Sequence, residues 1–121
     1  MPRSRATAKA AGSSFERLIC DGLADHIDDR IDRRVKTGAN DKGDVGAWRH
    51  HGQRIVGETK DWGGRYDIGT ILREMEVERV NDGALAAFGF MKRRGTRNVL
   101  DQVVVTTVRD LIAFQTGVRP E

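Results

Sequence analysis

Asp44-Val45-Gly46-Ala47-Trp48-Arg49-His50-His51-Gly52-Gln53-Arg54-Ile55-Val56-Gly57-Glu58-Thr59-Lys60 is the stretch on which the fold turns. It divides into two β-prone runs, Asp44–Trp48 and Arg54–Lys60, around His50-His51-Gly52-Gln53, which can turn the chain. In a strand, residues two apart share a face, so Glu58 and Lys60 point the same way. A hairpin returns Asp44 to the side of both. Two carboxylates and an ammonium then converge at one end of a sheet. Crowded carboxylates are unfavourable until something positive neutralises them. A few oxygen ligands that leave room for water and phosphate suit Mg²⁺, and a lysine beside them can orient or deprotonate an attacking water.

Upstream, residues 1–11 read as a small, basic arm in which Arg3, Arg5 and Lys9 could lie against phosphates; a plain disordered terminus is compatible with the same residues. The first helix is expected to start at Ser13 or Ser14 and run to about Asp28. Phe15, Leu18, Ile19, Gly22, Leu23, His26 and Ile27 recur at helical spacing and mark its buried stripe. Glu16 lies on the edge of that stripe. Ser13-x-x-Glu16 has the form of a capping box, in which Glu16 only satisfies the Ser13 backbone N–H. Ile31–Thr37 alternates apolar and charged residues and reads as a short edge strand, too charged for full burial. In the loop Gly38–Gly43, Asn40 and Asp41 read as turn residues and Lys42 as a phosphate contact.

Downstream, Asp61-Trp62-Gly63-Gly64-Arg65-Tyr66 leaves the second strand directly beside the three polar groups. Trp62, Arg65 and Tyr66 could meet nucleic acid by stacking and charge, or the two aromatics could pack on the sheet. Asp67 is a good N-cap for a second helix reaching Asn81 or Asp82, with Gly83 as its stop. Ile68, Ile71, Leu72 and Met75 share one face, and Glu74, Glu76, Glu78 and Asp82 read as a solvated face. Ala84–Met91 is small and apolar throughout, as suits a central strand covered on both sides. Lys92-Arg93-Arg94-Gly95-Thr96-Arg97 is the densest basic cluster, a turn whose cations can reach a phosphodiester backbone. Gln102–Thr107 reads as the last strand. Thr107-Val108-Arg109-Asp110 opens a final helix to about Phe114, and Gly117 ends it.

The order is therefore helix, three strands, helix, two strands, helix, an α/β arrangement. It divides into a flexible arm over 1–11, one domain over 12–117 and a tail over 118–121, within 121 residues. A core of that size is modest, which makes an oligomer unsurprising. Twenty-one basic against eighteen acidic residues give a net charge of +3. If several acids sit in one site, the remaining surface is more basic than that figure, and the sequence pI of about 9.4 fits a nucleic-acid partner. The single Cys20 cannot form an internal disulfide, and a reducing compartment follows. No apolar run approaches the ~20 residues of a membrane span, and no apolar segment follows the basic start as in a secretory signal. A cytoplasmic location is expected, the host cytoplasm if the chain is phage-encoded.

Asp44, Glu58 and Lys60 match the Asp, variable gap and Glu-x-Lys of the PD-(D/E)xK nuclease superfamily, which the chain resembles, with Gly43 in place of the signature's Pro. Within it the chain looks most like the small archaeal and phage-type Holliday-junction resolvases. The specific pieces are Gly12-Ser13-Ser14-Phe15-Glu16, Gly38–Asp44 and Gly57-Glu58-Thr59-Lys60. In resolvases the second helix often carries a Gln that helps the site; none stands there in this chain.

The resemblance implies a restriction-endonuclease-like mixed central sheet flanked by helices. It also implies a metal-dependent, structure-selective DNA endonuclease acting on branched DNA. Asp44, Glu58 and the Thr59 backbone carbonyl would hold Mg²⁺, with Mn²⁺ substituting, Glu16 would complete the shell, and Lys60 would position the nucleophile. Arg33, Arg34, Lys36, Lys42, Arg65, Lys92, Arg93, Arg94 and Arg97 would place the DNA, through contacts that orient without specifying sequence. A homodimer follows from the need for two symmetric incisions, with the second helix and the Ala84–Met91 run as candidate interfaces. The alternatives are a restriction-like endonuclease, nickase or exonuclease on the same fold, or a DNA-binding protein whose acids are only structural.

Overall fold

A computed structural model describes residues 3–36, 38 and 40–121. Met1 and Pro2 of the expected arm, Thr37 at the end of the expected first strand, and Ala39 of the following loop lie outside the described residues. The chain is a mixed α/β structure. Its first helix, α1 (Arg5–His26), precedes strands β1 (Asp32–Arg33), β2 (Val45–Gly46), β3 (Arg49–His50) and β4 (Gln53–Lys60). Helix α2 (Ile68–Asp82), strand β5 (Ala86–Met91), a 3₁₀ turn (Val99–Asp101), strand β6 (Val103–Val105) and helix α3 (Val108–Thr116) follow.

The sheet order is β1-β2-β4-β5-β6. β4 and β5 run parallel, and α2 makes the crossover between them; β1, β2 and β6 are antiparallel to their neighbours. β1 lies at an edge and β5 is inside the sheet, as the sequence patterns lead one to expect, but the strand expected over Ile31–Thr37 is formed only at Asp32–Arg33 among the described residues. The two faces carry separate cores. On one, Phe15, Ile19 and Cys20 of α1 and Ala113 of α3 pack with Val45, Trp48, Ile55 and Phe90. On the other, Ile71 and Met75 of α2 pack with Val56, Ala87 and Met91. Gly89 permits the second contact, because a Cβ there would lie 2.7 Å from Ile71 Cδ1.

α1 is longer than expected. It begins at Arg5, capped by Ser4, whose hydroxyl accepts the Thr7 N–H at 3.1 Å. Residues 5–11 are thus helix and not an arm. Ala6, Ala8, Ala10 and Ala11 supply the strongest intrinsic helix former at four positions, and Ser4 is the cap that exploits them. Ser13 is then an interior residue, so Ser13-x-x-Glu16 is not a capping box. His26 and Ile27, expected in the buried stripe, are exposed at the helix end.

The central hairpin is tightly specified. His51 (φ 52°) and Gly52 (φ 71°) are both left-handed, as a two-residue type I′ turn requires. β3 pairs Arg49 with Arg54 and His50 with Gln53, but β2 pairs Val45 with Gly57. Four steps along the first strand therefore answer three along β4, which defines a β-bulge, with Ala47 left-handed at φ 61°. Continued unbroken from the turn, the ladder would bring Asp44 opposite Thr59. The extra residue brings it beside Glu58 instead. Trp48 turns inward at the bulge and packs on Phe88, Phe90 and Phe114.

Asp67 caps α2 through the Thr70 N–H, and Gly83 ends it in the left-handed region, both as expected. Thr107 caps α3 in the same way. The acids of α2 depart from expectation: Glu78 (1 % exposed) and Asp82 (5 %) are buried, not solvated. The Ala84–Met91 run is consumed by the core, so it is not available as a subunit interface.

Candidate functional site

Asp44, Glu58 and Lys60 meet at the end of β4, in a cleft of about 760 Å³ between α1 and the sheet. Gly43, which leads into Asp44, has φ 93°, and a Cβ there would lie 2.9 Å from Val56 Cγ1. Proline is fixed near φ −65°. The signature's proline could not occupy this backbone, whereas glycine can.

Asp44 is held by β4 itself. Its Oδ2 accepts the Thr59 N–H at 2.8 Å and the Thr59 hydroxyl at 3.1 Å, while Lys36 Nζ lies 3.5 Å from Oδ1. Burial pushes its pKa up, but hydrogen bonds from Glu58 and Thr59 and the Lys36 charge outweigh it and leave Asp44 below the usual range. Asp44 is ionised. Glu58 is the opposite case. Burial first, then the neighbouring carboxyls of Asp44 and Glu78, push its pKa far up. Without a cation, one proton is retained in this pair of glutamates.

Lys60 sits 2.7 Å from Glu74 and 3.8 Å from Glu58. Burial works against its charge, but Glu74, Glu58 and Asp44 outweigh burial and raise its pKa. It is therefore an ammonium that can donate a hydrogen bond, not a base. Glu74 comes from α2, on the face the sequence pattern assigned to solvent.

Glu16 enters from α1 on the opposite wall, its Oε2 3.4 Å from Arg33 Nη2. Burial and then the Asp44 charge raise its pKa. With the capping role gone, Glu16 is a carboxylate lining the same cleft as Asp44 and Glu58.

Two acids not assigned to the site from the sequence complete the cluster. Asp41 accepts the Gly43 N–H at 2.9 Å, so it is the turn residue expected of it. Its carboxylate also comes, with those of Glu58 and Glu78, into a group whose ligand atoms lie within 4.8 Å of one another. Neither carboxylate oxygen of Glu78 has a hydrogen-bond donor among the described residues except a proton held on the Glu58 carboxyl. The available signal for Glu78 was its spacing: Ile71, Met75, Glu78 and Asp82 form one buried stripe of α2.

The cationic residues divide by what already holds them. Arg33 and Lys36 line the cleft. Arg34 does too, but its guanidinium makes a two-pronged pair with Asp82 at 3.1 and 3.2 Å. Lys42 and Arg65 are exposed. In the turn after β5, Lys92 donates to the carbonyls of Arg93 and Thr96, and Arg93 to that of Asp101 at 3.1 Å. Arg94 reaches the Gly63 carbonyl at 3.0 Å, and Arg97 the Ser14 hydroxyl at 3.2 Å. These groups border a second depression of about 340 Å³, which shares Asp61 with the main cleft. Trp62 is half-buried against the α2 core with Lys60 Nζ 5.8 Å from its ring centre, whereas Tyr66 is exposed. Cys20 is buried and its thiol pushed up to about 12, mainly by burial, so it is inert. No described helix is long and apolar enough to cross a membrane.

No protein-family model, no curated protein and no solved structure matches the chain.

Proposed function

We propose that the chain is a metal-dependent nuclease of the PD-(D/E)xK type, with a restriction-endonuclease-like sheet, that hydrolyses phosphodiesters in branched DNA as a Holliday-junction resolvase does. The observation that carries this reading is the meeting of Asp44, Glu58 and Lys60 with Glu16 in one cleft that Arg33 and Lys36 also line. Three elements far apart in sequence contribute to it.

The donor set fits a divalent cation. The ligands are hard oxygens, two of them on buried carboxylates, and Glu78 stands beside them with no basic partner among the described residues. Asp44, Glu58 and the Thr59 carbonyl would hold Mg²⁺ or Mn²⁺, with Glu16 reaching from α1. Such an ion, when bound, lowers the pKa of water and stabilises charge on a phosphate. Asp44 arrives already ionised and fixed by Thr59. Lys60, held as an ammonium, donates to the phosphate or to the entering water and orients it. Arg33 and Lys36 attract the phosphodiester into the cleft, and Lys42, Arg65 and the Lys92–Arg97 turn extend the same positive surface. Phosphate contacts of this kind position a backbone without reading bases, which suits a substrate recognised by shape.

Labelled four-way junction, flap, nicked duplex and linear duplex, each with Mg²⁺ and with EDTA, test the proposal. The expected result is incision of the junction in Mg²⁺ only. Asp44→Asn, Glu58→Gln and Lys60→Ala should each abolish cutting and keep junction binding. Wild-type turnover by Asp44→Asn would sink the assignment. Paired incision calls for a homodimer, for which exposed Val77 and Val80 on the outer side of α2 offer apolar surface. Sedimentation on and off the junction checks this; a monomer that only nicks would instead be a nickase on the same fold.

A further inference from the structure

We propose that Asp41, Glu58 and Glu78 form a second divalent-cation seat, set behind the Asp44–Glu58–Thr59 seat and sharing Glu58 with it. It deepens the nuclease reading, on which it rests only for the identity of the first ion. Three ligand atoms, one from each residue, lie within 4.8 Å of one another. Oxygen ligands stand about 2.0–2.1 Å from Mg²⁺ and about 2.3–2.6 Å from Ca²⁺, so opposite ligands of one ion are roughly 4–5 Å apart. A single ion among the three carboxylates can therefore touch all of them with little movement.

Proximity of acids alone would not make a site. Glu78 supplies the independent observation. It is 1 % exposed, set in the C-terminal half of α2 beside Glu58 of β4, and among the described residues its oxygens have no donor except a proton held on the Glu58 carboxyl. Two carboxyls buried side by side can both ionise only if a positive charge joins them, and the nearby cations among the described residues are committed elsewhere. Lys60 pairs with Glu74 and Glu58, Lys36 with Asp44, and Arg34 with Asp82. Four acids of α2 show the contrast: Glu74, Glu76 and Asp82 each have a basic partner, while no ion pair reaches Glu78 among the described residues.

Asp41 gives the seat its open side. It is exposed, and its loop is pinned to α2 where Asn81 Nδ2 donates to the Asp41 carbonyl at 2.8 Å. The Gly43 N–H fixes its side chain at 2.9 Å. An ion can enter past Asp41, with water filling its outer positions, and bind Glu78 at the back.

Mn²⁺ titration followed by the electron-spin signal of the free ion counts the seats. Wild type should bind two ions per chain and Glu78→Gln one. Asp41→Asn should weaken one of the two at least about tenfold, the loss found even for residues that only orient metal ligands. Asp44→Asn should remove the other ion and keep the Glu78-dependent one. Glu78→Gln preserves shape, and far-UV circular dichroism checks its folding; if it misfolds, the surface variant Asp41→Asn decides. One Mn²⁺ in wild type, or equal stoichiometry and affinity in Asp41→Asn, overturns the proposal. The count is independent of cleavage: two bound ions with no DNA cut would refute the nuclease reading and leave the seat standing.

Discussion

The bulge at Ala47 sets which face of the hairpin receives Asp44, and it does so with a strained alanine. A non-glycine residue in the left-handed region costs roughly 1–2 kcal/mol, and Ala47 sits there at φ 61°. Glycine relieves that strain but loses about 0.4–1 kcal/mol through the greater freedom of the unfolded chain. Ala47→Gly should therefore stabilise the protein by about 0.5–1 kcal/mol. With an unfolding entropy of about 2.1 cal/mol/K per residue, a chain of 121 residues converts this to a Tm rise of about 2–4 °C. Ala47 is exposed, so no core packing confuses the result. The partner experiment deletes Ala47. The ladder then runs unbroken from the His51-Gly52 turn, Asp44 moves opposite Thr59, and the Asp44-dependent divalent cation should be lost although the hairpin can still pair. Calorimetry measures the first variant and Mn²⁺ titration the second. A lower Tm for Ala47→Gly, or wild-type Mn²⁺ binding by the deletion, would refute the bulge as the device that aligns the site.

Glu16→Gln should cut the cleavage rate strongly at unchanged Tm, because the residue lines the cleft and caps nothing; equal activity would make it a bystander, as measured by single-turnover cleavage. Replacing Arg93 and Arg94 by Ala should weaken junction binding and flatten its salt dependence by roughly one to two counterions, and an unchanged slope would make the turn a plain solvated tip. The metal-free protein should lose stability as pH rises. Glu58 and Glu78 both have raised folded pKa values, caused first by burial, so their contribution is full below the ordinary glutamate value of 4.5 and is lost as pH climbs through the folded values. Asp44, with a lowered value, works the other way and loses its contribution as pH falls below 3.8. Melting in EDTA between pH 4.5 and 8 should show the decline, and Glu58→Gln should flatten it.

Much of this was legible because local signals agreed with the global fold. The turn His51-Gly52, the caps Asp67 and Gly83, and the apolar run into β5 each specify their element without help from distant residues. The start of α1 was missed because its charges suggested an arm, while the alternating alanines behind Ser4 carried the stronger helix preference. The bulge left no sequence mark, since Ala47 is not the glycine that such a conformation favours. Asp41 was hidden because it lies ahead of Asp44, outside the Asp-x(n)-Glu-x-Lys pattern, in a loop where an Asp reads as a turn residue. Its chain position says nothing of how the loop folds back toward α2, which Asn81 decides.

Glu78 was hidden differently, by a default. An acid on a helix is assigned to water because burying it unpaired is expensive, and that default is sound for Glu76, half-exposed and paired with Arg79. The buried stripe of α2, however, continues from Ile71 and Met75 through Glu78 to Asp82. Four residues apart on that stripe, the two acids have different fates. Asp82 receives both prongs of Arg34, which ties the end of α2 to the chain between β1 and β2, so its burial has a structural account within the protein. Glu78 has no such account. Natural sequences break local rules mainly where function compensates, and a positive group from outside is what the Glu58–Glu78 carboxyl pair lacks among the described residues. A buried acid that breaks the polarity pattern of its helix and finds no arginine or lysine therefore points to a cation, where its paired neighbour on the same face points only to packing.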